Sequence, residues 1–309
     1  KERPYRLSYN LWIHFSYNCR GVSIEIVVKN LSFTYDEGTR ALKNINFYVK
    51  KGEFVGLLAS NGSGKTTFLK ALIGLLKSQE GEIILGGKNI RSIPARELYQ
   101  KLGMVFQNPN DQLFSPTVIE DVAFGPMNLG LPEEEVEKRV MESLRLVDME
   151  PHANKAIHHL SFGQQKRVSI AGVLAMQPEV LILDEPTAGL DPKGESRLMH
   201  LLNKLNKENG ITIIMATHIV DLVPLFIDRL YILNRGEVIR QGTPEEVFSD
   251  SEVIERVDLR LPYISHLIEE LKHKDGVPLN GLPLTIGEAR RKLVELIPPE
   301  LIDNRLKKD

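Results

Sequence analysis

The sequence predicts an α/β fold in which a mainly parallel sheet carries helices on both faces. Several short and nearly continuous apolar runs have the length of strands buried on both sides: 54-FVGLL-58, 102-LGMVF-106, 180-VLILD-184 and 211-ITIIMAT-217. Stretches with apolar residues at helical spacing separate these runs, at 65–77, 133–147, 164–176 and 194–209. Strands that alternate with helices favour parallel pairing, and such sheets bind ligands at the carboxyl ends of their strands.

The two ends of the chain depart from this alternating pattern. Segments 24–35 and 45–53 have the character of strands, which predicts an antiparallel β subdomain at the N-terminal side. Residues 251–309 hold shorter helical pieces and a loop rich in proline and glycine, and they predict a small C-terminal helical appendage. Residues 1–22 are aromatic and basic without a period, so we expect a poorly ordered lead ahead of a main domain at 23–250.

The composition is that of an ordinary globular protein, with 42% hydrophobic and 26% charged residues. A formal net charge of −2 gives no electrostatic reason to expect nucleic acid as a partner, and we expect none. The single cysteine, Cys19, has no partner within the sequence for a disulfide, which fits a reducing compartment. No apolar run reaches the roughly 18 residues that span a bilayer, so we expect any membrane association to depend on a partner protein.

A glycine-rich turn, 59-ASNGSGKTT-67, lies between a predicted buried strand and a predicted helix. It matches the phosphate-loop pattern at Gly64, Lys65 and Thr66, with Ala59 in place of the first glycine. The N–H groups of such a turn bind phosphates together with the positive end of the following helix. We expect Lys65 to bridge the β- and γ-phosphates and the Thr66 hydroxyl to ligate Mg²⁺. The predicted phosphate-binding residues are Ala59, Ser60, Asn61, Gly62, Ser63, Gly64, Lys65, Thr66 and Thr67.

The stretch 180-VLILDEPTAGLD-191 delivers two acidic residues to the carboxyl end of a predicted strand. We expect Asp184 to hold the Mg²⁺ shell. We expect Glu185 to polarise an attacking water as a general base, a role worth roughly 10²–10⁴-fold in rate. Acidic residues also end strands that simply meet solvent, but a phosphate loop in the same chain favours the catalytic interpretation.

A second polar turn, 160-LSFGQ-164, opens an amphipathic helix and is called the capped turn below. Ser161 and Gln164 have the spacing of a capping box, so one interpretation is only a well-capped helix. The other interpretation uses the same N–H donors and partial positive charge as a second anion site. Because the chain already has one phosphate loop, we expect this second site to complete the active site of a neighbouring copy across a dimer.

These motifs, in this order, resemble the ATPases of ABC transporters. The resemblance rests on LSFGQ followed by a basic helix and then LILDEPTAGLD, extends over about residues 24–248, and has Phe162 where the family usually has glycine. It implies an α/β fold of the P-loop NTPase type, in which a mainly parallel sheet joins an antiparallel N-terminal β subdomain and a helical subdomain. It also implies ATP and Mg²⁺ as ligands, and ATP hydrolysis.

The resemblance further implies roles for single residues. Tyr35 would stack on adenine, Gln107 would touch Mg²⁺ and sense a transmembrane partner, and His218 would contact the γ-phosphate and position the attacking water. Glu185 and His218 are thus the implied catalytic residues. The implied metal ligands are Thr66, Gln107 and Asp184. The residues implied at the partner's nucleotide or at the subunit seam are Ser161, Gly163, Gln164 and Asp191.

The segments 106–131 and 168–176 are similar to the ATPases of energy-coupling-factor importers, particularly those of cobalt transport. This implies a subunit peripheral to the cytoplasmic side of the cell membrane. The implied partners are a second ATP-binding subunit, a transmembrane coupling subunit and a substrate-capture membrane subunit. The expected cargo is Co²⁺ or Ni²⁺, with a vitamin as the alternative, and whether the two ATP-binding subunits are identical stays open.

Other classes of nucleotide-binding protein fit less well. ABC ATPases of DNA repair insert a long coiled coil before the capped turn, but the intervening residues hold no heptads. Ribosome-associated types carry two cassettes in one chain, and this sequence holds one. A GTPase would need an Asn-Lys-x-Asp motif, and the nearest text, 203-NKLN-206, lacks the acid. A non-hydrolysing regulatory subunit is disfavoured because Glu185 and His218 are both present.

Overall fold

The computed structural model describes most of the chain. The described residues are 24–76, 80–250, 253–254, 257 and 259–298. The predicted lead at 1–22 and parts of the predicted appendage lie outside the described residues. The boundaries proposed for the main domain and the appendage therefore stay predictions.

The larger of two sheets is the predicted, mainly parallel one. Its strands are β3 (Phe54–Ala59), β6 (Leu102–Val105), β7 (Val180–Asp184), β8 (Thr212–Thr217), β9 (Arg229–Asn234) and β10 (Glu237–Gly242). The strand order is β10-β9-β3-β8-β7-β6. Strand β10 pairs antiparallel with β9, whereas the remaining neighbours pair parallel. The carboxyl ends of β3, β6, β7 and β8 thus lie along one edge.

The position of β3 between two hydrophobic cores explains why its sequence is apolar without alternation. All its residues are buried. Phe54 and Leu58 pack into one hydrophobic core, and Val55, Leu57 and Ala59 pack into another on the opposite face. Because successive side chains point to opposite sides of a strand, a strand between two cores must be apolar at every position.

The smaller sheet is the predicted antiparallel β subdomain. Its strands are β1 (Ile24–Thr34), β2 (Arg40–Lys50), β4 (Glu80–Leu85) and β5 (Lys88–Asn89), in the order β2-β1-β4-β5. Strand β2 begins at Arg40, earlier than the predicted start at residue 45. The cause is an irregularity at Asn44, whose φ of 50° interrupts the alternation while pairing with β1 continues.

Helices cover the sheets and form a helical subdomain. They are α1 (Lys65–Leu72), α2 (Ala95–Lys101), α3 (Val118–Asn128), α4 (Glu133–Leu146), α5 (Phe162–Leu174), α6 (Pro192–Lys207), α7 (Val223–Phe226), α8 (Pro244–Phe248), α9 (Tyr263–His273) and α10 (Ile286–Glu295). Helices α3, α4 and α5 pack against one another. In the appendage, Ile268, Leu279 and Ala289 form a small cluster of their own. No helix in the described part of the chain has both the length and the apolarity to cross a bilayer.

The two sheets are joined by the buried phenol of Tyr231. Its hydroxyl donates to the carbonyl of Tyr48 at 2.9 Å and accepts from the N–H of Tyr48 at 3.2 Å. Burial raises the pKa of Tyr231, so the hydroxyl keeps its proton. Tyr231 thereby links β9 to β2, and Arg229 of β9 adds a second link by donating to the Tyr48 hydroxyl at 2.6 Å.

We expect Tyr231→Phe to lower the free energy of unfolding by about 1–3 kcal/mol, because it leaves two partly buried backbone groups of Tyr48 without this hydrogen-bond partner. Urea unfolding followed by circular dichroism measures the change. The control is Tyr99→Phe, since the Tyr99 side chain is 40% exposed. Equal midpoints for the two variants would contradict the proposed bridge between the sheets.

Candidate nucleotide site

The phosphate loop, residues 59–67, links the end of β3 to the start of α1. Gly62 and Gly64 have φ values of 75° and 101°, a region that glycine enters without cost. A Cβ at Gly64 would lie 2.8 Å from the carbonyl oxygen of Ala41, so this position also lacks space. Ala59 ends β3 as a buried strand residue, so its methyl is tolerated where the pattern has glycine.

Lys65 folds back over the phosphate loop that precedes it. Its ammonium donates to the carbonyls of Ala59 at 2.8 Å and Ser60 at 3.2 Å. It also pairs with Glu185 Oε1 at 3.1 Å, and the two side chains are 7% and 9% exposed. Burial strengthens this attraction because little water screens it. The pair joins the phosphate loop to the carboxyl end of β7.

Asp184 and Thr66 form the second link between these segments. The Thr66 hydroxyl donates to Asp184 Oδ2 at 2.7 Å. Burial raises the pKa of Asp184, and the bond from Thr66 opposes that rise. Asp184 Oδ1 is buried without a hydrogen-bond partner among the described residues. A buried acceptor of this kind is costly unless something pairs with it.

These oxygens fit a magnesium ion. Mg²⁺ prefers oxygen ligands, typically one or two carboxylates together with substrate phosphates and water. The Thr66 hydroxyl and the Asp184 carboxylate already lie side by side, and the free Oδ1 of Asp184 supplies an acceptor for a cation. Gln107 reaches the neighbouring Glu185 through its amide. Of the predicted ligands, Thr66 and Asp184 are thus in direct contact, and Gln107 contacts Glu185, the residue that follows Asp184.

Glu185 is the meeting point of the predicted catalytic residues. Its Oε2 accepts from Gln107 Nε2 at 3.2 Å and lies 3.2 Å from His218 Nδ1. The His218 side chain is 53% exposed, so it is the solvent-facing member of the group. Glu185 has a φ of 45°, a left-handed conformation that costs a non-glycine residue roughly 1–2 kcal/mol. Such strain persists only where neighbours hold the residue in place.

Tyr35 lies beside the phosphate loop. Its hydroxyl is 2.9 Å from Thr67 Oγ1. Its ring meets the edge of Phe33, with centroids 4.9 Å apart. The position of Tyr35 beside the phosphate loop suits a ring that stacks on adenine. This stacking role stays a prediction.

The capped turn has the predicted capping box. The N–H of Gln164 donates to Ser161 Oγ at 3.3 Å, and the N–H of Ser161 donates to Gln164 Oε1 at 3.0 Å. Gln164 Nε2 also lies 3.2 Å from His152 Nε2. Asp191 caps α6 by accepting from the N–H of Gly194 at 2.5 Å.

The capped turn and the phosphate loop form two separate groups. Among the described residues, no hydrogen bond or ion pair joins the phosphate loop to the four residues predicted to serve a partner: Ser161, Gly163, Gln164 and Asp191. Gly163 instead lies against Leu190 of its own chain, where a Cβ would be 3.4 Å from Leu190 Cδ2. Within the part of the chain that the structure describes, the starts of α1 and α5 are therefore not linked by a direct polar contact.

Sequence reasoning missed Lys166. This residue of α5 is 1% exposed, and its ammonium donates to the carbonyls of Gln107 at 2.8 Å and Glu185 at 3.2 Å. Burial lowers the pKa of Lys166 to about 8, although the charges of Glu185 and Asp184 oppose that shift. The available signal was its spacing from Ile170 and Val173, which places a lysine on the buried stripe of the helix.

Comparison with known proteins places the chain in a family. The family model described as ABC transporter matches residues 42–188. The energy-coupling factor transporter ATP-binding protein EcfA of Methanocaldococcus jannaschii is 55% identical over 274 residues, covering 88% of this chain and 98% of that protein. The chain belongs to the ABC transporter ATP-binding subunits. The energy-coupling-factor type of this ABC ATPase, predicted from segments 106–131 and 168–176, is confirmed by this relative and by two further energy-coupling factor transporter ATP-binding proteins at 51% and 50% identity.

Solved structures agree with the fold of this ABC ATPase. The structure of cbiO1 from Clostridium perfringens, described as part of the ABC transporter complex cbiONQ, has a TM-score of 0.70 and 49% identity, covering 80% of this chain and 99% of that one. A dimeric ATP-binding cassette in a post-hydrolysis state, bound to ADP and Pi, has a TM-score of 0.64 and 36% identity, covering 71% of this chain and 98% of that one. The chain is thus an ATP-hydrolysing, energy-coupling subunit of an importer.

We expect Gly64→Ala to weaken nucleotide binding more than Gly62→Ala. Both substitutions impose a left-handed backbone on alanine, at roughly 1–2 kcal/mol. Only the Gly64 methyl also meets the Ala41 carbonyl, whereas a Cβ at Gly62 meets nothing within 4 Å. Titration with a fluorescent ATP analogue measures both affinities. Equal losses would mean that the close approach at Gly64 does not shape the loop.

Proposed function

We propose that this ABC ATPase hydrolyses ATP with Glu185 as the general base, in a dimer in which each nucleotide lies between the phosphate loop of one subunit and the capped turn of the other. The single observation that supports this most is the convergence of Lys65, Gln107 and His218 on the two carboxylate oxygens of Glu185. Residues from four strand ends meet there, as expected for a site at the carboxyl edge of a parallel sheet.

The geometry suggests a division of labour among these residues. Lys65 and the N–H groups at the start of α1 would hold the β- and γ-phosphates. Thr66, Asp184 and Gln107 would hold Mg²⁺, which when bound supplies neutralisation of phosphate charge. Glu185 would take a proton from the attacking water, and His218 would orient that water at the γ-phosphate. Tyr35 would stack on the adenine from the flank of the loop.

The lack of a polar contact between the capped turn and the phosphate loop of the described chain supports the dimer. A helix start of this kind can bind an anion, so we assign the nucleotide that it would contact to a second subunit. The dimeric cassette that this chain resembles has the same fold at 36% identity.

A membrane partner is proposed to dock beside Gln107. The exposed rings of Phe114 and Phe124 meet edge to face, with centroids 4.6 Å apart. They are 64% and 48% exposed, and Met127 nearby on α3 is 64% exposed. A helix that carries apolar anchors suits such a patch. The transmembrane coupling subunit would then hold the ATPase on the cytoplasmic side of the membrane, with a substrate-capture subunit completing the importer.

The proposed cargo is Co²⁺ or Ni²⁺. The support is the similarity of segment 106–131 to the ATPases of cobalt importers, together with the fold and identity shared with cbiO1. The ATPase itself does not touch the cargo in this scheme, so the membrane subunits select it.

We expect Glu185→Gln to lower the rate of phosphate release by at least about 10²-fold, because the variant lacks the general base. ATP affinity should not fall, since the phosphates would supply the negative charge that Lys65 loses when its partner Glu185 becomes an amide. Phosphate release and equilibrium ATP binding are measured in parallel. The control is Glu137→Gln, an exposed glutamate on α4. Phosphate release at the wild-type rate in the Glu185 variant would exclude this residue as the base.

The cargo is tested in vesicles that hold this chain together with the membrane subunits that co-purify with it. We expect ATP-dependent accumulation of radioactive Co²⁺ or Ni²⁺ in the lumen that corresponds to the cytoplasm, and none with Glu185→Gln. A panel of labelled B vitamins serves as the comparison. Uptake of a vitamin without metal uptake would replace the metal proposal by the vitamin alternative.

A further inference from the structure

Lys166 is a buried cation that the catalytic scheme above does not use. It lies on α5, one turn after the capped turn begins, and is 1% exposed. Its ammonium donates to the backbone carbonyls of Gln107 at 2.8 Å and Glu185 at 3.2 Å. It also lies 5.4 Å from the ring centroid of Phe162, a distance at which the ring attracts a cation. One side chain thus joins the start of its own helix to two segments that are distant in the sequence.

The three segments have different tasks in the proposed function. Gln107 approaches the metal and the membrane partner, Glu185 is the base, and Phe162 belongs to the capped turn that serves the neighbouring subunit. A buried charge is tolerated when hydrogen bonds satisfy it. The carbonyl acceptors therefore hold Lys166, and Lys166 in turn determines where those carbonyls lie.

The contact with Glu185 matters because that residue has a strained backbone. Its φ is 45°, and such a conformation requires neighbours that enforce it. The N–H of Glu185 donates to the carbonyl of Ala216 at 3.0 Å, and its carbonyl accepts from the N–H of Ala188 and from Lys166. Lys166 is the one of these partners that comes from the helical subdomain.

Two further contacts bind the same helix to the same segments. The ring of Phe162 covers Gly189, where an added Cβ would lie 2.9 Å from Phe162 Cε1. Gln112 donates to the carbonyl of Ser169 at 2.9 Å and accepts from the N–H of Phe106 at 3.2 Å. Helix α5 is therefore attached at two points to the segment 107–112 and at two points to the segment 185–189.

We propose that Lys166 is a positioning residue, which holds Glu185 and Gln107 in register with the capped turn of the same chain. Engagement of the capped turn with a neighbour's nucleotide is thereby linked to the alignment of the chain's own base. The inference depends on the proposed roles of Glu185 and of the capped turn. It predicts that loss of Lys166 impairs the chemical step more than ATP binding.

The test compares Lys166→Met, Lys166→Gln and the control Lys138→Met, which removes an exposed cation from α4. Steady-state phosphate release gives kcat and KM, and hydrogen exchange reports the backbone amides of residues 105–113 and 184–191. We expect Lys166→Met to lower kcat about 10- to 100-fold, as small misplacements of catalytic groups do, with KM changed less than about threefold. The kcat of Lys166→Gln should lie between those of the wild type and Lys166→Met, because the glutamine amide still donates to a carbonyl. Hydrogen exchange should rise in residues 105–113 and 184–191 for Lys166→Met and not for the control Lys138→Met.

Different results overturn different parts of the scheme. A Lys166→Met enzyme with wild-type kcat and unchanged exchange would overturn the positioning role while leaving the proposed function intact. If Lys166→Met does not fold, Lys166→Gln serves as the test of the positioning role. A wild-type kcat in Lys166→Gln would then contradict the inference. If wild-type enzyme and Glu185→Gln release phosphate equally, the proposed base is wrong, and the exchange data still show whether Lys166 holds the two segments.

Discussion

The buried ion pair between Lys65 and Glu185 is the contact on which the rest of the site depends. The two charged atoms are 3.1 Å apart, and both side chains are less than 10% exposed. Removing one partner of a buried pair leaves the other charge uncompensated, at a typical cost of about 3–5 kcal/mol. The pair also ties the phosphate loop after β3 to the acidic end of β7. Because β8 lies between those strands, the pair closes the carboxyl edge of the sheet across one intervening strand.

The helical subdomain adds a second connection to this edge. Helix α5 begins at the capped turn and reaches the backbone carbonyl of Glu185 one turn later through Lys166. The antiparallel sheet is attached elsewhere, through the Tyr231 hydroxyl and the backbone of Tyr48. The residues predicted to bind phosphate are thus held by the sheet core, while the capped turn and Phe124, which are proposed to meet a neighbouring subunit and a membrane partner, belong to the helical subdomain. Such a division suits an ATPase that couples hydrolysis to a membrane partner.

Much of the site could be predicted because its chemistry depends on short motifs with fixed local geometry. The phosphate loop and the acidic strand end follow buried strands, and the apolar run of β3 predicted its burial from both sides. The capping box of Ser161 and Gln164 was predicted from spacing alone and is confirmed. The ABC fold and the energy-coupling-factor type were implied by ordered motifs and are confirmed by the relatives.

The residues that escaped prediction depend on contacts distant in sequence. Helix α3 contains Gly125 and Pro126, which usually break helices, yet its packing against α4 and α5 maintains it. Lys166 was missed because lysine is usually a surface residue, and its acceptors are backbone carbonyls that no motif marks. The positions of β9 and β10 in the sheet are set by strand pairing, since β9 pairs with β3 and β10 pairs with β9. Local patterns carry no information about such pairings.

The most direct test of the account is complementation between two inactive variants, Lys65→Ala and Ser161→Arg. The first lacks the phosphate-loop lysine and the second blocks the capped turn, so each variant alone should release almost no phosphate. If each site joins the loop of one subunit to the turn of the other, a mixed dimer contains one intact site. An equal mixture should then regain up to about a quarter of the wild-type rate, since half of randomly paired dimers are mixed and each has one working site of two. A mixture as inactive as its components would contradict a site shared between two copies of this chain.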